Sequence, residues 1–286
     1  MSEIMGFVNI LKPTGMSSSD VVCKVKKILK TKKVGHLGTL DPAASGVLPI
    51  AVGKATKFFD YFLKKDKEYY AICEFGIETD TLDSFGNITN KYDIFINKEQ
   101  IESVIHKFIG KVSQVPPKYS AIKINGKKAC DLARNDIEFE IKPREVEIYN
   151  IELLKEIAVN KFLFKVHCSA GTYIRTLLND IANALGIVAT TPVIIRTKSG
   201  RFVSEKAITL EELEKQPECE KVEEIFNDYK IITINNYEAK KLINGVSIEA
   251  NKNIIEKEFL LEYEGKLLGL YEIKNGKYSR IVYLYN

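Results

Sequence analysis

The chain has 286 residues, 45% hydrophobic and 28% charged. That composition is globular and sized for one large domain or two ordinary ones, which excludes a disordered, collagen-like or coiled-coil chain. Lysine plus arginine at 42 against aspartate plus glutamate at 38 leaves a net charge of only +4, so any basic surface has to be local.

In chain order, residues 7–11 form a short apolar run closed by the Pro13 and Gly15 turn signals. Ser17, Ser18 and Ser19 offer helix N-caps. Val21, Val22, Val25, Ile28 and Leu29 then recur at helical spacing, which predicts an amphipathic helix over 18–30 with Lys24, Lys26, Lys27 and Lys30 on its other face. Residues 35–46 hold three glycines and Pro42 and read as a loop of defined shape. A strand over 48–52 and a helix over 55–63 follow. Tyr69, Ala71, Cys73 and Phe75 alternate, predicting a strand over 68–75, and residues 76–86 read as a polar turn region.

Ile101, Val104, Ile105 and Phe108 predict a helix over 98–109, whereas Pro116 and Pro117 bar one. Residues 126–134 read as a short basic helix, and 145–154 and 162–168 as strands. Ser169-Ala170-Gly171 leads into a helix over 172–185 whose stripe is Ile174, Leu177, Leu178, Ile181, Ala182 and Leu185, stopped by Gly186. A strand over 193–197 and an acidic stretch over 205–229 complete this part. Beyond it lie one short helix, 237–243, and several strands, with Lys274-Asn275-Gly276-Lys277 as a type I′ hairpin signal. The pattern is α+β: a mixed, mainly antiparallel sheet flanked by helices over 1–229, then a small β-rich domain over 230–286.

Many chemistries lack their residues here. There is no P-loop, no dinucleotide fingerprint after a strand and no G-x-S-x-G elbow. His36, His106 and His167 lack ligand-like spacing, which argues against a catalytic zinc. Cys23, Cys73, Cys130, Cys168 and Cys219 are odd in number with no C-x-x-C pair, which argues for a reducing compartment. The longest apolar run, 47–52, is broken by Pro49 and too short for a bilayer, and the first six residues lack a signal-peptide pattern. The expectation is a soluble cytoplasmic protein with no membrane partner.

What remains is a glycine-framed loop presenting Asp41, with Pro42 fixing the backbone after it. An aspartate in such a place is most often a turn former or cap. Arg175 falls on the first turn of its helix, where a cation opposes the macrodipole and calls for an anionic partner. A surface arginine paired with a nearby carboxylate satisfies the same demand. Tyr69, alternating onto an apolar face, reads first as core packing.

Six segments share one resemblance. Gly35-His36-Leu37-Gly38-Thr39-Leu40-Asp41-Pro42 resembles the G-H-x-G-x-L-D-P motif of the TruB family of tRNA pseudouridine synthases. Lys12-Pro13-Thr14-Gly15-Met16-Ser17-Ser18, Lys67-Glu68-Tyr69, and Gly76 to Asp83 resemble further motifs of that family. So do Pro116 to Lys123 and Cys168 to Thr176. The motifs run in the family's order over residues 12–176. The departure is Leu11, where many members have Asp.

The resemblance implies isomerisation of uridine to pseudouridine at position 55 in the T-loop of tRNA, with no metal or organic cofactor. It implies Asp41 as nucleophile, attacking the base or the ribose C1′, and Arg175 as its partner, favouring the ionised carboxylate. Tyr69 would stack on the flipped uracil and take part in removing the C5 proton. His36 would fill the vacated space or stack on loop nucleotides. Lys12, Thr39, Tyr173 and Lys123 would bind the RNA, and the lysines of 24–33 and 118–128 would meet phosphates. The terminal module resembles a PUA-type RNA-binding domain. A stand-alone monomer without guide RNA is expected. A tRNA-folding factor with incidental catalysis and a guide-dependent catalytic subunit are the alternatives. Residues 117–140 and 190–200, polar and rich in Gly and Pro, read as segments that order on RNA.

Overall fold

A computed structural model describes residues 4–135 and 137–285; residues 1–3, 136 and 286 lie outside the described residues. The reading of the first six residues and the middle of the 117–140 segment therefore falls partly outside them.

Strand β1 (Gly6–Lys12) leads to α1 (Ser18–Ile28), whose N-terminus is fixed by a capping box. The Asp20 N–H donates to Ser17 Oγ at 3.1 Å and the Ser17 N–H donates to Asp20 Oδ2 at 2.9 Å. Strand β2 (Val34–His36) occupies the start of the predicted loop and pairs with β3 (Ser45–Val52), which also takes β1 antiparallel. A 3₁₀ turn, Gly53–Phe58, runs into α2 (Phe59–Leu63). In β4 (Lys67–Phe75) every odd-numbered residue is buried and every even one partly exposed, the period of two its alternation requires.

The polar turn region contains a hairpin, β5 (Ile77–Thr79) with β6 (Ile88–Lys91). Helix α3 (Lys98–Ile105) and β7 (Gly110–Gln114) follow, then a two-strand ribbon of β8 (Lys123–Ile124) and β9 (Lys127–Lys128) leading into α4 (Ala129–Arg134). Two long strands, β10 (Arg144–Ala158) and β11 (Lys161–Cys168), precede α5 (Ile174–Ala184) and β12 (Ala189–Ser199). The short β13 (Phe202–Val203), α6 (Leu210–Lys215) and α7 (Val222–Ile225) close this part.

The central sheet runs β1-β3-β12-β4-β11-β10-β7, with β2 on β3 and β13 on β12; only the β3–β12 pairing is parallel. This corrects the expectation that residues 190–200 order on RNA. They form β12 in the middle of the sheet. Polar side chains among them are paired within the fold: Thr190 Oγ1 lies 3.1 Å from Thr79 Oγ1, and Arg196 donates to three carbonyls.

One core fills the face under α1, α3 and α5, with Val25, Ile101, Phe164, Leu177 and Leu178 all at 0% exposure. The terminal sheet is β14 (Ile231–Thr233), β15 (Glu258–Tyr263), β16 (Lys266–Lys274) and β17 (Lys277–Tyr283), with α8 (Asn236–Ile243) on one face. Asn275 and Gly276 have φ of +53° and +72°, as a type I′ hairpin demands. Phe259 and Leu261 point to α8, and Leu260 between them joins the aromatic core of Phe7, Phe58, Phe62 and Phe226. The terminal sheet is thus packed into the first part of the chain.

Candidate active site

The loop bearing Asp41 is pinned residue by residue. Leu37 and Leu40 are 1% and 5% exposed and anchor it in the cores on either side. The Ser18 hydroxyl accepts from the Leu40 N–H and donates to the Leu40 carbonyl, both at 2.9 Å, tying the start of α1 to the residue before Asp41. The Ala44 N–H donates to the Asp41 carbonyl at 3.1 Å and the Gly15 N–H to the Pro42 carbonyl at 2.8 Å. The Arg196 guanidinium donates to the carbonyls of Gly38 (3.2 Å), Thr39 (3.0 Å) and Val47 (2.8 Å). Gly46 is required where β3 meets β12: at φ +107° a Cβ would lie 2.2 Å from the Arg196 carbonyl oxygen.

Arg175 reaches Asp41 from far along the chain. The Nη2 donates to Asp41 Oδ2 at 2.6 Å and to the Tyr119 carbonyl at 3.0 Å; Nη1 donates to the Thr81 carbonyl at 2.7 Å and lies 3.3 Å from Asp83 Oδ2. Only 3% of the Arg175 side chain is exposed, against 32% for Asp41. The unfavourable cation at a helix start is answered by two carboxylates and two carbonyls. No hydrogen bond to Asp41 Oδ1 occurs among the described residues, and Asp41 lines a cavity of about 410 Å³. Thr39, Tyr69, Tyr173, Arg175, Lys67 and Arg196 are among its walls.

Each wall has a fixed chemistry. Tyr69, buried on β4 opposite Arg196 in the β4–β12 register, offers a flat face. Burial pushes its hydroxyl up to about 12 against the opposing pull of Arg196, so it is a neutral phenol at pH 7 and stacks better than it takes protons. Tyr173 caps α5, its N–H donating to Gln114 Oε1 at 3.1 Å while Gln114 Nε2 returns a bond to its carbonyl. The Lys67 ammonium is tied to the carbonyls of Leu63 and Lys65, and burial holds it down to about 8.

Three expected RNA-binding residues stand elsewhere. Lys12 is fully buried: its ammonium donates to the carbonyls of Pro13 (2.8 Å) and Met16 (2.7 Å), and burial lowers it to about 8. It shapes the turn before α1 and offers no surface to a phosphate. His36 lies in a neighbouring cavity of about 390 Å³, separated from that of Asp41 by Phe59. Lys123 is exposed on the β8–β9 ribbon, beside a third cavity, although Ala121 and Ile122 just before it do line the Asp41 cavity.

Asp83 and Arg196 belong to the site without being singled out by the sequence pattern. Asp83 stands in a matched motif but reads there only as a turn residue. Arg196 has no signal, because a lone arginine in a predicted strand looks the same buried or exposed. All five cysteines are free. Among the described residues there is no group of three or more His, Cys, Asp or Glu suited to a metal, and no helix is long and apolar enough to cross a membrane.

Solved structures with this fold include a Cbf5–Nop10–Gar1 complex, matched at TM-score 0.70 and 28% identity over 98% of this chain and 84% of the other. Another is an H/ACA ribonucleoprotein bound to a substrate RNA containing 2′-deoxyuridine, matched at TM-score 0.68 and 26% identity over 98% of this chain and 85% of the other. The fold thus falls among pseudouridine synthases.

Residues 26–174 match the N-terminal domain of the TruB family of pseudouridylate synthases, a stretch that holds Asp41 and Tyr69 and ends one residue before Arg175. The tRNA pseudouridine synthase B of Clostridioides difficile (strain 630) is 44% identical over 262 residues, covering 88% of this chain and 86% of that protein. The protein of the same name from Clostridium kluyveri is 42% identical over 273 residues, covering 93% and 94%. The chain belongs to the TruB family.

Proposed function

We propose that the chain converts uridine 55 in the T-loop of tRNA to pseudouridine, with Asp41 as the nucleophile. The observation that carries this reading is the 2.6 Å pair between a partly exposed carboxylate and a buried guanidinium at a cavity walled by a tyrosine face. Arg175 holds the Asp41 carboxylate in a fixed orientation at the cavity, as a nucleophile needs. The N1–C1′ bond breaks and a C5–C1′ bond forms; the C5 proton leaves and N1 gains one, so no electron acceptor is involved.

The target base has to leave its stack, at a cost of a few kcal/mol. Stacking on Tyr69 returns roughly 1–3 kcal/mol. Exposed lysines such as Lys24, Lys32, Lys33 and Lys123 supply phosphate contacts that set the register of the RNA. The terminal sheet acts as a PUA-like contact to the rest of the tRNA, and the chain works as a cytoplasmic monomer without guide RNA. Assistance to tRNA folding follows from the same binding.

The test is incubation of the purified chain with an unmodified T-arm hairpin and a chemical readout of pseudouridine. The wild-type chain is expected to modify the bare hairpin. Asp41→Asn is expected to slow formation by at least about a thousandfold while still binding the RNA. Arg175→Lys is expected to lose at least about a hundredfold in rate, since an ammonium cannot serve the acceptors of a planar fork. Robust turnover by Asp41→Asn would overturn the assignment.

A further inference from the structure

The N-terminus of α5 is weak by its own composition. Tyr173, its N-cap, makes no side-chain capping bond among the described residues, and Arg175 puts a buried cation on the first turn. Both features work against a helix start. Yet Arg175 has to leave that turn at a fixed point to meet Asp41 at 2.6 Å. The start of α5 is held from outside, by the end of β7.

Gln114 ends β7 and is buried at 1% exposure, where the four residues before it are half-buried or exposed. Pro116 and Pro117 stop the strand just beyond it. Its carboxamide grips both sides of one residue. The Tyr173 N–H donates to Gln114 Oε1 at 3.1 Å, and Gln114 Nε2 donates to the Tyr173 carbonyl at 3.3 Å. The same carbonyl accepts the first helical bond from the Leu177 N–H at 3.0 Å, so both of its lone pairs are used. One residue on, the Val115 carbonyl accepts from the Thr176 hydroxyl at 3.4 Å. Residues 114 and 115 therefore hold α5 on both sides of Arg175. Beside Gln114 in the β7–β10 register stands Arg144, its guanidinium 5.9 Å from the centre of the Tyr173 ring. A buried carboxamide is costly unless its bonds are made. An apolar side chain would fill the same space; the carboxamide adds a donor and an acceptor side by side.

We propose that Gln114 is a positioning residue for the reaction. It holds the backbone of Tyr173 so that Arg175 leaves α5 at the point from which it orients Asp41. It acts through Arg175 and takes no part in holding the RNA. The proposal rests on the reading of Asp41 as nucleophile and Arg175 as its partner.

The experiment uses the full chain in excess over an unmodified T-arm hairpin and measures the single-turnover rate and Kd per folded molecule. Gln114→Met keeps the unbranched length and removes both bonds. It is expected to lower the maximal rate about 10- to 100-fold, the cost of a misaimed group, with Kd within about twofold of wild type. Gln114→Glu keeps the acceptor for the Tyr173 N–H and loses the donor, so its rate is expected to fall between the two. The sharpest comparison joins Gln114→Met to Arg175→Lys. With the planar fork gone there is little aim left to lose, and Gln114→Met is expected to cost less than about threefold in that background.

A rate for Gln114→Met within about twofold of wild type overturns the proposal even where the melting point drops, because Gln114 then serves the fold alone. So do losses that simply multiply in the double variant, or a Kd that rises as much as the rate falls. If Gln114→Met does not fold, Gln114→Glu makes the same comparisons, alone and with Arg175→Lys. Robust turnover by Asp41→Asn would bring down the catalytic pair and this proposal together. An inactive Asp41→Asn beside a silent Gln114→Met brings down the proposal alone.

Discussion

Two buried arginines govern the site, and only one is legible in the amino-acid order. Arg175 can be singled out because its place on the first turn of a helix is electrostatically wrong unless an anion faces it. Arg196 carries no such mark. It is 1% exposed, and its guanidinium donates to the backbone carbonyls of Gly38, Thr39 and Val47. Lys12 misleads in the opposite sense, since the family resemblance makes it an RNA-binding residue and it is in fact sealed under its own turn. Arg196→Met keeps the length and apolar stem but leaves three carbonyls without their donor. With about 1–3 kcal/mol for each buried group left unsatisfied, partly relieved by relaxation, the variant is expected to lose roughly 3–5 kcal/mol of stability. Urea midpoints measure it. Pseudouridine formation should fall even where the variant is fully folded, because the loop before Asp41 loses its clamp. A variant as stable and active as wild type would mean that the loop is held by Ser18 and Gly15 alone.

At the scale of elements, periodicity locates almost every long helix and strand, and polarity conceals the rest. The alternation of 68–75 gives β4 to within one residue, and the stripe of 174–185 gives α5. The β5–β6 hairpin is invisible because its outer strand, Ile88–Lys91, is exposed at every position and shows no apolar period. Helix α5 also carries an anomaly that only burial exposes. Asp180 has no hydrogen bond or ion pair among the described residues, and desolvation raises its carboxyl to about 6. The folded state therefore binds this proton more tightly than the unfolded chain does. The cost of burying the ionised form is present in full above about pH 6 and fades as pH falls toward about 4. Asp180→Asn is expected to raise stability by on the order of 1–3 kcal/mol at pH 7.5 and by about a third as much at pH 4.5, as read from urea midpoints. An equal gain at both values would show that the charge is not the cause.

At the scale of the molecule, the change of composition near residue 204 and the β-rich end suggest two units joined at 229 and 230, and chain order alone cannot say how such units meet. The described residues place them on one core. Leu260, Leu267, Leu270, Val282 and Leu284 from the terminal sheet pack with Phe7, Phe58, Phe62 and Phe226. Glu258 Oε2 accepts from the hydroxyls of Tyr61 at 2.8 Å and Tyr229 at 2.6 Å, bridging the same seam. At about 1.5–3 kcal/mol for each buried aliphatic side chain, five of them contribute on the order of 10 kcal/mol as an upper estimate. That is comparable with the whole stability of an ordinary domain, so neither unit can melt without exposing the other. The full chain is expected to unfold in one calorimetric transition with equal calorimetric and van't Hoff enthalpies. Residues 1–229 expressed alone are expected to melt at lower temperature and to bind an apolar dye. Two resolved transitions, or an unaltered melting point for 1–229, would mean that the seam adds little. A single transition would mean that the terminal sheet is held at a fixed distance from Asp41, so the two parts of the chain meet any substrate as one rigid span.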